Sequence, residues 1–531
     1  MRNLLNTTLL LLLTAITGIA QNYLPNNNYY QTEAERLLIH AKNDSSYYNQ
    51  HVSLRPILDT RTNRDSIFAI PDKQYYWVTQ KLFKENLIIF KGPGFWCSID
   101  PILDLELGGD LSADSLERLY WNTRGIRVQG RFLNKVGFTT SFYENQALLP
   151  GYMNDYVDAH GEFFPNSINT NYIQNNAVVP GYARTKVFKT TGYDFAFAQG
   201  NISYVPSEFV NFQVGNGNHF IGNGYRSLLL SDFTANYPFA KIEANFLKGR
   251  IQYNVIYALH QNLYRLHVFT TPEATYEKKI GTYHYLDISL SKNIQVGIFE
   301  GKLWRNVDSL GSHKPDYAYL SPIMFTTPRT KQFDNSGFNS ILGFNASINF
   351  GNNRLYGQAV IDAGTLGAFQ LGYKFYNLGG HKLDGGVEFN HAELNTYLST
   401  DKRYNYSHYN LPLAHPYVNG FNELIIHFTY QHNRFFFSNR INYSQRIQND
   451  STAIGNNILQ PLYNGTPATP NRLDYIAYNQ FEMGYRFNKS NNFQAFFGLL
   501  TRSDLDADNN PLTNYAYIGV RTRLKNKYLD Y

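Results

Sequence analysis

The chain has 531 residues, a formal net charge of +6, a single cysteine and 16% aromatic residues, with 43 Tyr and 38 Phe. So weak a positive balance gives no ground for nucleic-acid binding, and the lone Cys97 excludes an intramolecular disulfide framework. Beyond the N-terminus no apolar run approaches the roughly 18 residues that a membrane-spanning helix needs.

In chain order, the first feature is Arg2 followed by Leu4–Leu13, apolar apart from Asn6, Thr7 and Thr8, and then Gly18-Ile19-Ala20. This predicts a secretory signal over residues 1–20, with Gln21 as the first mature residue. Residues 21–94 read as an N-terminal periplasmic segment with short helices. Thr32-Glu33-Ala34-Glu35 forms a capping box before Arg36-Leu37-Leu38-Ile39. Pro71 and Asp72 then precede Tyr76, Val78, Leu82, Phe83 and Leu87 at amphipathic spacing. These helices are expected either at the lower mouth of the domain that follows or as surface helices with no plugging role.

From residue 95 onward the apolar period is two. Ile126, Val128, Gly130 and Phe132 alternate with Arg127, Gln129 and Arg131; Leu424, Ile426, Phe428 and Tyr430 alternate with Glu423, His427 and Gln431. Such segments have one apolar and one polar face. About 18 strands are expected, at roughly 95–108, 122–133, 136–146, 191–204, 209–217, 239–247, 249–262, 282–292, 294–302, 337–349, 352–362, 365–378, 381–392, 421–431, 433–444, 475–487, 490–501 and 514–524. Short and long connections alternate, the tight Ala363-Gly364 turn being the clear exception. That alternation separates a bacterial outer-membrane barrel from a soluble sandwich. The predicted fold is therefore all-β, a transmembrane antiparallel β-barrel over residues 95–531, located in the cell outer membrane. Arg127, Gln252, Glu388 and Arg523 should face inward. Ile126, Tyr253, Val387 and Leu524 should face lipid, with Val255 near the midplane. The even strand count returns the C-terminus to the periplasm, with Tyr531 closing the last strand.

One stretch stands apart, Gln213 to Ser231, QVGNGNHFIGNGYRSLLLS. A dinucleotide fingerprint starting at Gly215 would need glycine where Phe220 stands, and a P-loop would need lysine where Asn223 follows Gly222. The glycines instead permit tight turns and close approach to a barrel wall. Residues 216–231 should pack into the barrel, either as a plug loop only or as a glycan-contacting segment; Asn223, Tyr225, Arg226 and Ser227 are the candidate contacts.

Two resemblances follow from quoted residues. Asn122-Thr123-Arg124-Gly125-Ile126, GRFLNKVGFTTSFYENQ (Gly130–Gln146) and Val179-Pro180-Gly181 resemble the barrels related to the gliding-motility outer-membrane protein RemB. GNGYRSLLLSDFTANYPFAKIEANF (Gly222–Phe246) is similar to the glycine-rich segment and S-L-x-L-S of the capsule-assembly Wzi family. Where Wzi proteins carry tryptophan-glycine-proline-glycine, this chain has Ile221-Gly222-Asn223-Gly224. The resemblance implies an 18-stranded barrel, periplasmic helices and a role in holding or assembling surface polysaccharide; on the RemB side it implies motility or adhesion.

Signals for enzyme chemistry are lacking. His219, His260, His284, His381, His391 and His427 show no metal-ligand spacing, and there is no G-x-S-x-G elbow. Asp384 and Glu388 share a lumenal face and read as channel lining; Asp504, Asp506 and Asp508 read as a solvated loop rather than a calcium site. No catalytic residue, metal or cofactor is expected. The expected partners are outer-membrane lipid, surface polysaccharide, and motility or capsule-export proteins. A transport pore is the remaining alternative.

Overall fold

A computed structural model describes residues 24–40, 51–57, 76–112, 117–133, 135–165, 172–189, 191–266, 276–308, 311–314, 317–326, 338–380, 382–448, 456–463, 472–489, 491–505, 511–522 and 524–531. The expected signal, Pro71, Asp72, His381, Asp506, Asp508 and Arg523 fall outside these residues.

The period-two segments form β1 (Phe95–Asp110), β2 (Glu117–Phe132), β3 (Val136–Leu148), β4 (Gly192–Ser207), β5 (Val210–Gly217), β6 (Tyr237–Phe246), β7 (Ile251–Arg265), β8 (Tyr276–Ser289) and β9 (Ile294–Asp308). The second half supplies β10 (Phe338–Phe350), β11 (Asn353–Asp362), β12 (Thr365–Leu378), β13 (Leu383–Ala392), β14 (Phe421–His432), β15 (Phe435–Gln448), β16 (Arg472–Asn488), β17 (Phe493–Asp504) and β18 (Leu512–Thr522). Each strand is antiparallel to the next, and β18 pairs with β1 from Tyr515↔Asp110 to Arg521↔Asp104, closing an 18-stranded barrel. Closure leaves no unpaired sheet edge, as a bilayer requires. The two-residue turn between β11 and β12 has φ +51° at Ala363 and +85° at Gly364, the left-handed pair that tight hairpins use. A further strand, Ile88–Gly92, runs antiparallel to the start of β1, so the ladder begins ahead of residue 95.

Parity sorts the faces as the sequence predicts. Arg127, Gln252 and Glu388 are buried in the lumen, while Ile126 and Val387 are exposed on the outer wall. Exposed Leu107, Leu371 and Ile518 belong to the same apolar outer belt. At the short-turn ends Phe95, Phe132, Phe246, Phe350 and Phe435 are exposed, a ring of aromatics where one bilayer interface falls.

Val255 departs from expectation. It has lipid-facing parity, yet it is buried, because the segment 317–326 lies across the outer wall of β7, β8 and β9. Tyr257 Oη donates to Leu320 O at 2.8 Å, Tyr253 Oη to Pro322 O at 2.9 Å and Thr282 Oγ1 to Tyr319 O at 2.9 Å. Phe325 N donates to Glu300 Oε2 at 3.0 Å, and Trp304 stacks on Tyr319 with centroids 5.7 Å apart. Beneath this strap Lys302 and Glu300 pair at 2.9 Å with side-chain exposures of 3% and 1%. Polar residues at lipid-facing positions thus satisfy the strap's backbone, while its outer side shows exposed Tyr317, Ile323 and Phe325.

The N-terminal segment plugs the short-turn mouth. Helix α1 spans Asn28–His40, so Thr32 lies inside it rather than at its cap. The expected capping box is absent for a physical reason: the Glu35 carboxylate, fully buried, is taken by the barrel wall. It accepts from Arg354 Nη1 at 2.9 Å, Lys374 Nζ at 3.2 Å and Tyr376 Oη at 2.6 Å. Residues 51–57 follow α1 into the lumen, where Leu54 pairs with Ile221. Helix α2, Trp77–Phe83, stays outside on the rim, with Phe83 against Phe487 of β16 and with exposed Tyr76, Trp77 and Val78.

The C-terminus also differs from expectation. The last strand stops at Thr522, and residues 524–531 turn into the lumen. Leu524 is buried there instead of facing lipid, and Tyr531 is 3% exposed, packed on Tyr156 of α3 (Gly151–Ala159) and on Phe233. The interior is therefore a core, made of wall aromatics, the tail, α3 and two inward-folded loops.

Candidate functional site

The glycine-rich stretch continues β5 into the lumen, where residues 218–236 are buried throughout. Its glycines allow this contact. A Cβ at Gly224 would stand 2.4 Å from Glu388 Oε2 and 2.8 Å from the Arg226 carbonyl oxygen. With glycine there, Glu388 caps the turn: it accepts from Tyr225 N at 2.7 Å, Arg226 N at 3.0 Å, Tyr356 Oη at 2.7 Å and Asn390 Nδ2 at 2.9 Å. The expected channel-lining role of Asp384 and Glu388 is corrected accordingly. Glu388 binds the plug, and Asp384 forms an ion pair with Arg36 of α1.

All four candidate contact residues lie in this buried turn. Asn223 accepts at its carbonyl from Lys374 and at Oδ1 from Asn345 Nδ2 at 3.3 Å. Tyr225 Oη donates to Asp530 Oδ1 at 3.2 Å. Arg226, 2% exposed, pairs through Nη2 with Glu423 Oε1 at 3.1 Å and Asp530 Oδ2 at 3.0 Å. Ser227 Oγ donates to Ile221 O at 2.5 Å and accepts from Leu229 N at 3.1 Å and Leu230 N at 3.2 Å. Most of their polar groups are thus committed to partners within the chain, Asn223 Nδ2 and Arg226 Nη1 being buried without one, and none presents an open surface.

Sequence reasoning missed Glu423, Asp530 and His415, which complete the centre. Asp530 reaches it because the tail enters the lumen, which strand periodicity does not encode. His415 Nε2 donates to Glu423 Oε2 at 2.7 Å, and Tyr417 N donates to His415 Nδ1 at 3.2 Å. Burial drives the His415 pKa down against the pull of Glu423, and with Nδ1 accepting, the ring is neutral with its proton on Nε2. Two carboxylates and two guanidiniums, Arg226 and, from β15, Arg440 on Asp530 Oδ2 at 3.3 Å, make a charge-assisted lock between plug, wall and tail.

The plug in turn holds the outer loops. Tyr397 Oη donates to Leu228 O and Tyr406 Oη to Leu229 O, each at 2.7 Å, and Ser231 N donates to Leu413 O at 2.7 Å. These contacts fix the loop 393–420, which carries Lys402 and Arg403 to the long-loop rim. There Tyr264 stacks on Phe163 with centroids 5.0 Å apart and planes 11° apart, and Lys402 Nζ stands 4.5 Å from the Tyr264 ring centre. Beside them the partly exposed Arg184 and Arg265 both pair with the buried Glu162 carboxylate. At this half-buried aromatic surface two guanidiniums share one carboxylate, while Arg403 is answered by Asp401 and Asp308.

A closed barrel with an apolar belt, an aromatic ring and alternating short and long connections has one setting. The chain is an outer-membrane β-barrel. No protein-family model matches it, and no curated protein matches it in sequence. Among solved structures it is similar to Wzi of Escherichia coli, described as an outer-membrane protein involved in group 1 capsule assembly and a carbohydrate-binding β-barrel. The TM-score is 0.54 at 12% identity, covering 94% of this chain and 99% of that one. Two further barrels superpose less well. Pseudomonas aeruginosa OpdQ gives a TM-score of 0.41 at 7% identity, covering 80% of this chain and 96% of that chain. Acinetobacter baumannii OccAB4 gives 0.42 at 8%, covering 81% and 97%. At these identities the likeness is one of fold.

Proposed function

We propose that this barrel is a non-catalytic outer-membrane protein that holds or assembles surface polysaccharide at its long-loop face. The observation that carries this reading is the filled lumen. A barrel whose interior is packed with its own plug, tail and N-terminal helix is built to support a surface rather than to pass solutes. The rim described above offers a stacked aromatic pair for sugar faces and paired guanidinium donors for carboxylate groups. The fold likeness to a barrel described as carbohydrate-binding supports the same reading. In this proposal Asn223, Tyr225, Arg226 and Ser227 serve glycan holding by fixing the plug on which the loops stand, and contact falls to Arg184, Arg265, Tyr264 and Lys402.

The test is complementation of a gene deletion with wild type or with the double variant Tyr264→Ala/Lys402→Gln, which leaves the buried Glu162 with both its arginines, scoring retained capsule and surface spreading together. The reading expects capsule to be shed by the double variant at normal barrel abundance, with spreading altered only secondarily. Full capsule retention with lost spreading would replace it with a gliding-motility or adhesion role.

A further inference from the structure

Below the plug the packing leaves a space. Between α1 and the inner faces of β12–β17 lies a cavity of about 200 Å³, reached from the short-turn mouth and roofed by Gly224 and Tyr225. It has room for on the order of ten ordered waters or one small solute. The plug closes its far end, so whatever enters from the periplasm stays on that side.

Most charges lining it are already paired: Arg36 with Glu33 and Asp384, Lys374 with Glu35, Arg440 with Asp530, and Glu482 with Arg521. Two guanidiniums differ. Arg486 is 5% exposed, donates Nε to Asn492 Oδ1 at 2.8 Å and lies 3.8 Å over the Tyr29 ring, yet its Nη1 is buried without a partner. Arg55 is 3% exposed, gives Nη2 to the Gly224 carbonyl at 3.0 Å and leaves Nε buried without a partner. Neither contacts a carboxylate among the described residues. A buried cation with idle donors is costly unless an anion answers it, and a guanidinium fits carboxylate and phosphate oxygens best. Thr429 and Ser438 line the same space from β14 and β15, and their hydroxyls suit a polyhydroxylated ligand.

We infer that this vestibule is a periplasm-facing binding site for a monosaccharide-sized solute carrying a carboxylate or a phosphate. The inference needs only the cavity, Arg486 with no carboxylate in contact, and Arg55, which Glu35 answers only at a distance; it stands or falls independently of glycan binding at the opposite rim.

The test is calorimetric titration of the purified, folded barrel with glucuronate, glucose 1-phosphate and glucose. One or both anions should bind while neutral glucose does not, and which anion binds more tightly distinguishes an acidic sugar from a sugar phosphate. Arg486→Gln, which removes the charge, should weaken anion binding tenfold or more, while Arg250→Gln, on the exposed short turn between β6 and β7 and outside the cavity, should not change it. Ser438→Trp, which fills the cavity from another strand, should abolish binding even if the Arg486 variant folds poorly. Heats absent for both anions, or equal in wild type and in a folded Arg486→Gln or Ser438→Trp variant, would overturn the site.

Discussion

At the scale of single residues, Arg226 and Glu35 are the two charges on which the interior depends. Arg226 answers Glu423 and Asp530 in a centre that water does not reach. Removing one partner from such a cluster typically costs about 3–5 kcal/mol, because the charges left behind stay buried. Arg226→Met should therefore loosen the plug, read as faster protease cleavage within 218–236 in otherwise folded barrels. Adding Glu423→Gln, which leaves Asp530 paired with Arg440, should reverse most of that loss; a double variant as labile as the single one would refute the lock. For Glu35, burial alone would raise the carboxyl pKa, but Lys374 and Arg354, then Arg55 and the Tyr376 hydroxyl, overcome it and hold it at about 2. A folded-state pKa below the ordinary 4.5 stabilises α1 docking above that value, and the contribution is lost as pH falls toward about 2. A spin label at half-buried Thr32 of α1 should stay immobile at pH 6 and gain motion across that acid window, whereas in a Glu35→Gln background it should be mobile at both ends. Unchanged spectra from pH 6 to 2 would contradict the assignment.

Among the elements, the strands were the most legible part of the chain, since alternation in β2 or β14 and the pattern of connection lengths both survive in one sequence. What alternation cannot say is where a ladder stops or what covers a face. Leu524 lies in phase with β18, but the chain leaves the sheet two residues earlier. Val255 lies in phase with the lipid face, but a strap from the loop after β9 covers it. The glycine segment was readable as close-packed, because only small residues tolerate such contact at Gly224; its partners, from strands some 160 residues away, were not. The strap yields a prediction of its own. Val255 stands four residues into β7, roughly 10 Å up a tilted strand and within an apolar band about 25 Å tall. Deleting 317–326 would bare Lys302 to lipid, at a cost of roughly 2–4 kcal/mol if it lies near the midplane. The deletion should lower the temperature at which the folded band shifts on a denaturing gel, and Glu300→Leu with Lys302→Leu in the same background should raise it again. No shift on deletion would mean that these charges do not meet the bilayer.

For the whole molecule, the decisive fact is that a barrel wide enough for an aqueous channel is occupied by its own chain. Helix α1 and residues 51–57 enter from the short-turn mouth, residues 218–236 and 393–420 fold inward from the long-loop side, and the C-terminal tail lies between them. The Arg226 centre joins plug, wall and tail, the tyrosines of the loop 393–420 grip the plug backbone, and the rim with its stacked rings and arginines rests on them. Such a chain of support suits the role we propose, a barrel that presents a surface rather than one that passes a solute. The most direct test is single-channel conductance of the purified protein in planar lipid bilayers. The filled lumen predicts a silent baseline for the wild type and conducting steps only after residues 218–236 are removed. Stable, ohmic steps of a large open pore from the intact protein would contradict it.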